Sequence, residues 1–106
     1  MKHLLRVLAL GCLMVSIPAW AEGTRIDIKE FMFGPKEVTI AVGTTVTWVN
    51  DDQTVHTLME THKVFHSAAL DTNDQFSYQF NTPGTYEYYC TLHPQMIGKI
   101  IVSAAK

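Results

Sequence analysis

The chain has 106 residues, with eight Lys or Arg, ten Asp or Glu and a formal net charge of −2 at pH 7. This length is sufficient for one small domain with a single core. The basic residues are scattered along the chain, which argues against DNA or RNA as a partner because nucleic-acid binding needs clustered Lys and Arg.

The N-terminus has the pattern of a secretory signal peptide. Lys2 and Arg6 supply positive charge, residues 4–17 form an apolar run, and Ala19-Trp20-Ala21 is an A-x-A cleavage site. The run is too short to span a bilayer comfortably, so we expect no stable membrane insertion after cleavage. The pattern predicts a signal peptide at 1–21, export to the periplasm and a mature domain at 22–106.

Removal of the signal peptide changes both the charge and the cysteine content. It removes two basic residues and no acidic residue, so the mature chain carries a formal charge of −4. It also removes Cys12 and leaves Cys90 as the single cysteine. Disulfides normally form outside the cytoplasm, so this thiol is reactive, is paired between chains or is bound to a metal.

The mature chain has the alternating pattern of half-buried strands. In chain order, the alternating residues are Ile26/Ile28, Val38/Ile40/Val42, Val46/Trp48, Phe76/Tyr78/Phe80, Tyr86/Tyr88/Cys90 and Ile100/Val102. Turn residues separate these segments, and no amphipathic helix is evident. The pattern predicts one all-β sandwich or barrel, with residues 58–73 as its least regular connection. Residues 67–70 within it could form a helical turn or a short strand.

Four potential metal ligands stand out. Cys90, His93 and Met96 lie within seven residues, and His56 lies upstream. Two imidazoles, one thiolate and a weak thioether are the ligand set of blue-copper electron-transfer sites. Zinc would be better served by a fourth strong donor. We expect Cys90 to face the core at the end of its strand, with His93 and Met96 on the loop that follows.

Several further segments carry a resemblance to a known family. They are Trp48-Val49-Asn50, Pro83-Gly84-Thr85-Tyr86, Tyr89-Cys90-Thr91, and His93-Pro94 followed by Met96, Gly98 and Lys99. With His56, they resemble the cupredoxins, the type 1 blue copper proteins, and the spacing around His93 is most similar to that of amicyanins. One departure is the sequence Val55-His56-Thr57, since the first ligand histidine of such proteins usually has Pro before it and Asn after it.

The resemblance implies a Greek-key β-sandwich with one type 1 copper ion. His56, Cys90 and His93 would be its equatorial ligands and Met96 its axial ligand. It implies electron transfer rather than enzyme activity, with a dehydrogenase or a cytochrome-like protein as redox partner. We expect a monomer. Electrons would pass through the exposed edge of His93, which would be ringed by Leu92, Pro94, Met32 and Phe33.

Other interpretations remain at this point. Cys90 could be a buried structural thiol, and Met96 could simply fill the core. His62 and His66 are four residues apart near Met59 and Glu60, and they could form a second metal site if their segment were helical. A second site would favour a copper carrier or storage protein. An exported β-sandwich that binds no metal is a third possibility.

Overall fold

The computed structural model describes residues 23–104, so the signal peptide predicted at 1–21 lies outside the described residues. The strands are β1 (Thr24–Lys29), β2 (Met32–Gly34), β3 (Glu37–Ala41), β4 (Thr45–Asn50), β5 (Met59–Glu60), β6 (Gln75–Gln79), β7 (Gly84–Cys90) and β8 (His93–Ser103). Residues 23–104 contain no helix, and thus none that could cross a membrane.

The strands form two four-stranded sheets, in the orders β2-β1-β4-β6 and β3-β8-β7-β5. β1 runs parallel to β4, and β3 runs parallel to β8. The other neighbouring strands are antiparallel. The predicted all-β sandwich is therefore confirmed.

The core lies between the sheets and consists of the inward residues of the alternating strands. Trp48 is fully buried at its centre. Its ring centroid is 5.4 Å from those of Phe65 and Tyr88 and 5.8 Å from that of Phe76. Phe65 belongs to the irregular connection after β5, so this connection packs on the core despite its lack of regular pattern.

The structure corrects the prediction in two places. Sequence periodicity missed β2 and β5, because strands of three and two residues are too short to show alternation. The prediction that His93 and Met96 lie on a loop after β7 is also wrong, because β8 begins at His93. Cys90 is paired directly with His93, and Tyr89 with Ile97. Residues 94–96 therefore bulge from β8 with no partner on β7.

Replacement of Gly98 by Ala should destabilise the fold. Gly98 lies opposite Tyr88 in the β7–β8 ladder, and an added Cβ would overlap the buried Tyr88 ring, with Cε1 at 2.8 Å. We expect Gly98→Ala to lower the free energy of unfolding by about 1–3 kcal/mol, the usual cost of overpacking. Gly23→Ala is the control, because its Cβ would meet no atom closer than 3.5 Å. Equal denaturation midpoints for the two variants would contradict this packing.

Candidate metal centre

Three of the predicted ligands meet at one end of the sandwich. His56 lies between β4 and β5, Cys90 ends β7, and His93 begins β8. Their ligand atoms all lie within 4.8 Å of one another. The Nδ1 atoms of His56 and His93 are each 3.7 Å from Cys90 Sγ. Both imidazoles therefore offer the same nitrogen to the space beside the sulfur.

The two histidines differ in exposure. His56 is fully buried, whereas His93 is half-buried. The backbone of His56 is paired with that of Leu70. The distance from His56 N to Leu70 O is 3.1 Å, and the distance from Leu70 N to His56 O is 2.8 Å. His56 is thus fixed within the packed fold, and His93 lies at the surface.

Asp52 holds the His56 ring. His56 Nε2 donates to Asp52 Oδ2 over 2.8 Å, so the Nδ1 lone pair is left for the site. Burial raises the pKa of Asp52, but hydrogen bonds from the Phe31 amide, His56 and the Glu30 amide outweigh it and lower the pKa below its usual value. The carboxylate is therefore charged and selects the ligating tautomer of His56.

Asn50 supports this arrangement from the end of β4. Its side-chain NH₂ donates to the carbonyl oxygens of Thr54 and Leu70 over 2.9 and 2.8 Å. Its Oδ1 accepts the Asp52 N–H over 2.8 Å, and Thr72 Oγ1 donates to the Asp52 carbonyl over 2.6 Å. The sequence analysis placed Asn50 in a segment that resembles the cupredoxins but gave Asp52 no role at the site. The structure shows that residues 50–52 fix the position of the Asp52 carboxylate.

The Cys90 sulfur accepts hydrogen bonds that favour the thiolate. The Thr57 N–H donates to Sγ over 3.5 Å. Burial raises the pKa of Cys90, but the hydrogen bond from the Thr57 amide, the two imidazole rings beside the sulfur and the Leu92 amide together lower the pKa to about 6. The sulfur is therefore largely ionised at neutral pH, which is the form that binds metals.

Thr57 also connects the two ligand-bearing segments. Its Oγ1 accepts the Thr91 N–H over 2.9 Å and lies 2.6 Å from Thr91 Oγ1. Thr57 follows His56 and Thr91 follows Cys90, so these bonds hold the two ligands at a fixed separation. The departure from the usual Asn at this position therefore leaves a hydrogen-bonding side chain in place.

Phe31 was missed by the sequence reasoning, which named Phe33 as a neighbour of His93. Phe33 is only 4% exposed and packs edge-on to Tyr88. Phe31 instead lies edge-on to both histidines, with ring centroids 5.2 Å from His56 and 4.8 Å from His93. No periodic signal distinguishes the two phenylalanines, because Phe31 lies in the turn between β1 and β2. Leu92, at 50% exposure, lies at the surface as predicted.

Comparison with known proteins identifies the family. Residues 5–102 match the family described as the cupredoxin-like domain. The chain belongs to this family. A curated relative, amicyanin-alpha of Methylorubrum extorquens, is 37% identical over 100 residues, which cover 90% of this chain and 84% of the relative.

Solved cupredoxin structures have the same fold. A purple cupredoxin from Nitrosopumilus maritimus is 34% identical with a TM-score of 0.72, covering 76% of this chain and 99% of that chain. A copper(I) structure of an amicyanin variant is 29% identical with a TM-score of 0.73, covering 76% of this chain and 82% of that chain.

The donor set of this cupredoxin fits the predicted cofactor, one type 1 copper ion. A thiolate and two imidazoles, directed to one place and largely shielded from water, are the strong ligands of such sites. Met96 is 5% exposed, on the bulge of β8, and its predicted axial role remains a prediction.

A second metal site at His62 and His66 would require a helical segment, and the structure shows none there. Glu60 ends β5, and His66 forms an isolated bridge with Met59, so this segment is extended around a turn. Glu60 is buried, and its Oε1 accepts the N–H groups of His62 and Val64 over 2.6 and 3.1 Å. Within residues 23–104, a cluster of three or more His, Cys or acidic ligands occurs only at His56, Cys90 and His93.

Glu60→Gln should destabilise this cupredoxin in a pH-dependent manner. Burial raises the pKa of Glu60, but hydrogen bonds from Val64 and His62 lower the pKa below its ordinary 4.5. The charged carboxylate therefore stabilises the fold above about pH 4.5, and this contribution is lost as the pH falls through the folded-state pKa. Near neutral pH we expect a loss of about 2 kcal/mol, typical of hydrogen bonds to a charged group.

Chemical denaturation of wild type and Glu60→Gln at several pH values measures this difference. Glu87→Gln is the control, because Glu87 is exposed on β7. A Glu60→Gln deficit that stays constant from neutral pH into the acid range would contradict the role given to the Glu60 charge.

Proposed function

We propose that this protein is an electron carrier with a type 1 copper site formed by His56, Cys90, His93 and Met96. The observation that carries the proposal is the convergence of two imidazoles and one thiol within 4.8 Å. The copper(I) bound by the similar amicyanin supports the choice of metal. Bound copper supplies a one-electron redox couple at this place.

The chain contributes a rigid donor set. Asp52 orients His56, the Thr57 amide bonds to Cys90, and Phe31 packs against His93. Donors held by such contacts keep one arrangement in both oxidation states, which suits electron transfer. With Met96 as the fourth donor, no position remains for water or substrate, so we propose a carrier rather than an enzyme.

The surface around His93 suits brief contacts with redox partners. Leu92 is 50% exposed beside the half-buried His93. Small contact areas permit rapid release, as electron transfer between proteins requires. The formal charge of −4 of the mature chain would favour a partner with basic surface groups. We propose a dehydrogenase or a cytochrome-like protein as the partner class.

The proposed location is the periplasm. The charged start, apolar run and A-x-A site of residues 1–21 support removal of a signal peptide, which leaves a single copper-binding domain at 22–106. We also propose that this mature protein is a monomer.

A visible spectrum tests the copper assignment. A Cys thiolate bound to copper(II) gives an intense charge-transfer band, so we expect oxidised, copper-loaded wild type to be intensely coloured. Cys90→Ser removes the thiolate and should remove the band. A colourless copper-loaded wild type would refute the proposed site.

A second variant tests the axial ligand. Gln provides a harder oxygen donor than Met, and the axial ligand tunes the potential of blue-copper sites. We expect Met96→Gln to retain one copper ion and its charge-transfer band but to have a lower reduction potential than wild type. Voltammetry of the two proteins measures this shift. Equal potentials would exclude Met96 as a ligand.

A further inference from the structure

The turn between β1 and β2 has an unusual backbone. Lys29 pairs with Met32, so Glu30 and Phe31 form a two-residue hairpin turn. Their φ angles are 54° and 59°, both in the left-handed region. Turns of this kind favour Asn-Gly, because residues with a larger side chain are strained there. A bulky aromatic residue in this conformation therefore needs contacts that hold it in place.

The Asp52 carboxylate provides these contacts. Oδ1 accepts the Glu30 N–H over 2.6 Å, and Oδ2 accepts the Phe31 N–H over 3.0 Å. The same Oδ2 accepts Nε2–H of His56 over 2.8 Å. One carboxylate thus connects both amides of the strained turn to a histidine of the metal centre.

The turn places the Phe31 ring against both histidines. The ring stands at 84° to His56 and at 84° to His93, and it is 45% exposed. His93 itself is half-buried at the surface. Phe31 therefore makes T-shaped contacts with both imidazoles while part of the residue stays open to solvent.

We propose that Phe31 is a positioning residue that holds the His93 ring on the metal, and that the strained turn is maintained for this purpose. This inference rests on the proposed copper site. Phe31 restricts movement of His93 away from Cys90, so loss of its ring should make the metal more labile. Asp52 acts on both sides of the site, directly through His56 and through the turn on His93.

Copper release to a strong copper(I) chelator tests the positioning role. We expect Phe31→Ala and Phe31→Gly each to release copper(I) about tenfold faster than wild type, the lower end of the effect of removing a group that supports a ligand. Val64→Ala is the matched control, because Val64 is a 44% exposed apolar residue outside this site. It should release copper at the wild-type rate. Wild-type rates in both Phe31 variants would overturn the proposal.

The same two variants test the strain. Both lack the ring, but only Gly adopts a positive φ without steric cost. In the metal-free state, Phe31→Gly should therefore have a higher denaturation midpoint than Phe31→Ala. A midpoint no higher than that of Phe31→Ala would show that the turn is not strained and would overturn that part of the proposal.

A copper-independent measurement separates this inference from the proposed function. In NMR spectra of the metal-free wild type, the Phe31 ring protons should show NOEs to the rings of both His56 and His93. Absence of the His93 NOEs would overturn the positioning role whatever metal the protein binds. A wild type without a charge-transfer band, but with these NOEs, would refute the copper proposal while the packing of Phe31 on His93 stood.

Discussion

The metal centre depends on the Asp52 carboxylate and its three hydrogen bonds. It accepts the imidazole N–H of His56 and the backbone amides of Glu30 and Phe31. A buried carboxylate without such donors would be costly, because its charge would lose the stabilisation of water. The three donors compensate for that loss, and they also join the β1–β2 hairpin to the segment that carries His56. One charged group, the Asp52 carboxylate, thus both orients His56 and holds the turn that places Phe31 against His93.

The site combines rigidity with limited exposure. His56 and Cys90 are fully buried, whereas His93 is half-buried beside exposed Leu92 and Phe31. The hydrogen bonds of Thr57 to Cys90 and Thr91 restrain the sulfur. A carrier needs donors that do not rearrange and one ligand edge within reach of a partner. This division between two buried donors and one surface donor meets both needs.

The fold explains how donors far apart in the chain meet without a flexible loop. β7 and β8 form a hairpin in which Cys90 is paired with His93, so the ladder itself sets the separation of these two residues. The bulge at residues 94–96 then allows Met96 to turn into the core, where it is 5% exposed. His56 is fixed from the other side by its backbone bridge to Leu70. His56, Cys90 and His93 therefore take their positions from backbone pairing, which is more precise than loop placement.

The sequence alone determined the fold class and the three residues, His56, Cys90 and His93, that meet at the site. Strand periodicity is a local property, and the close spacing of Cys90, His93 and Met96 is visible in the chain itself. Only the tertiary structure decided the contacts among residues distant in sequence. Asp52 belongs to a polar turn and Phe31 to an apolar stretch, and neither pattern indicates that the two meet at a histidine. The very short β2 and β5, the early start of β8 and the role of Phe31 in place of Phe33 share this cause. The strand boundaries depend on pairing between strands, and the position of Phe31 depends on a turn with positive φ. Long-range packing determines both, and local periodicity does not.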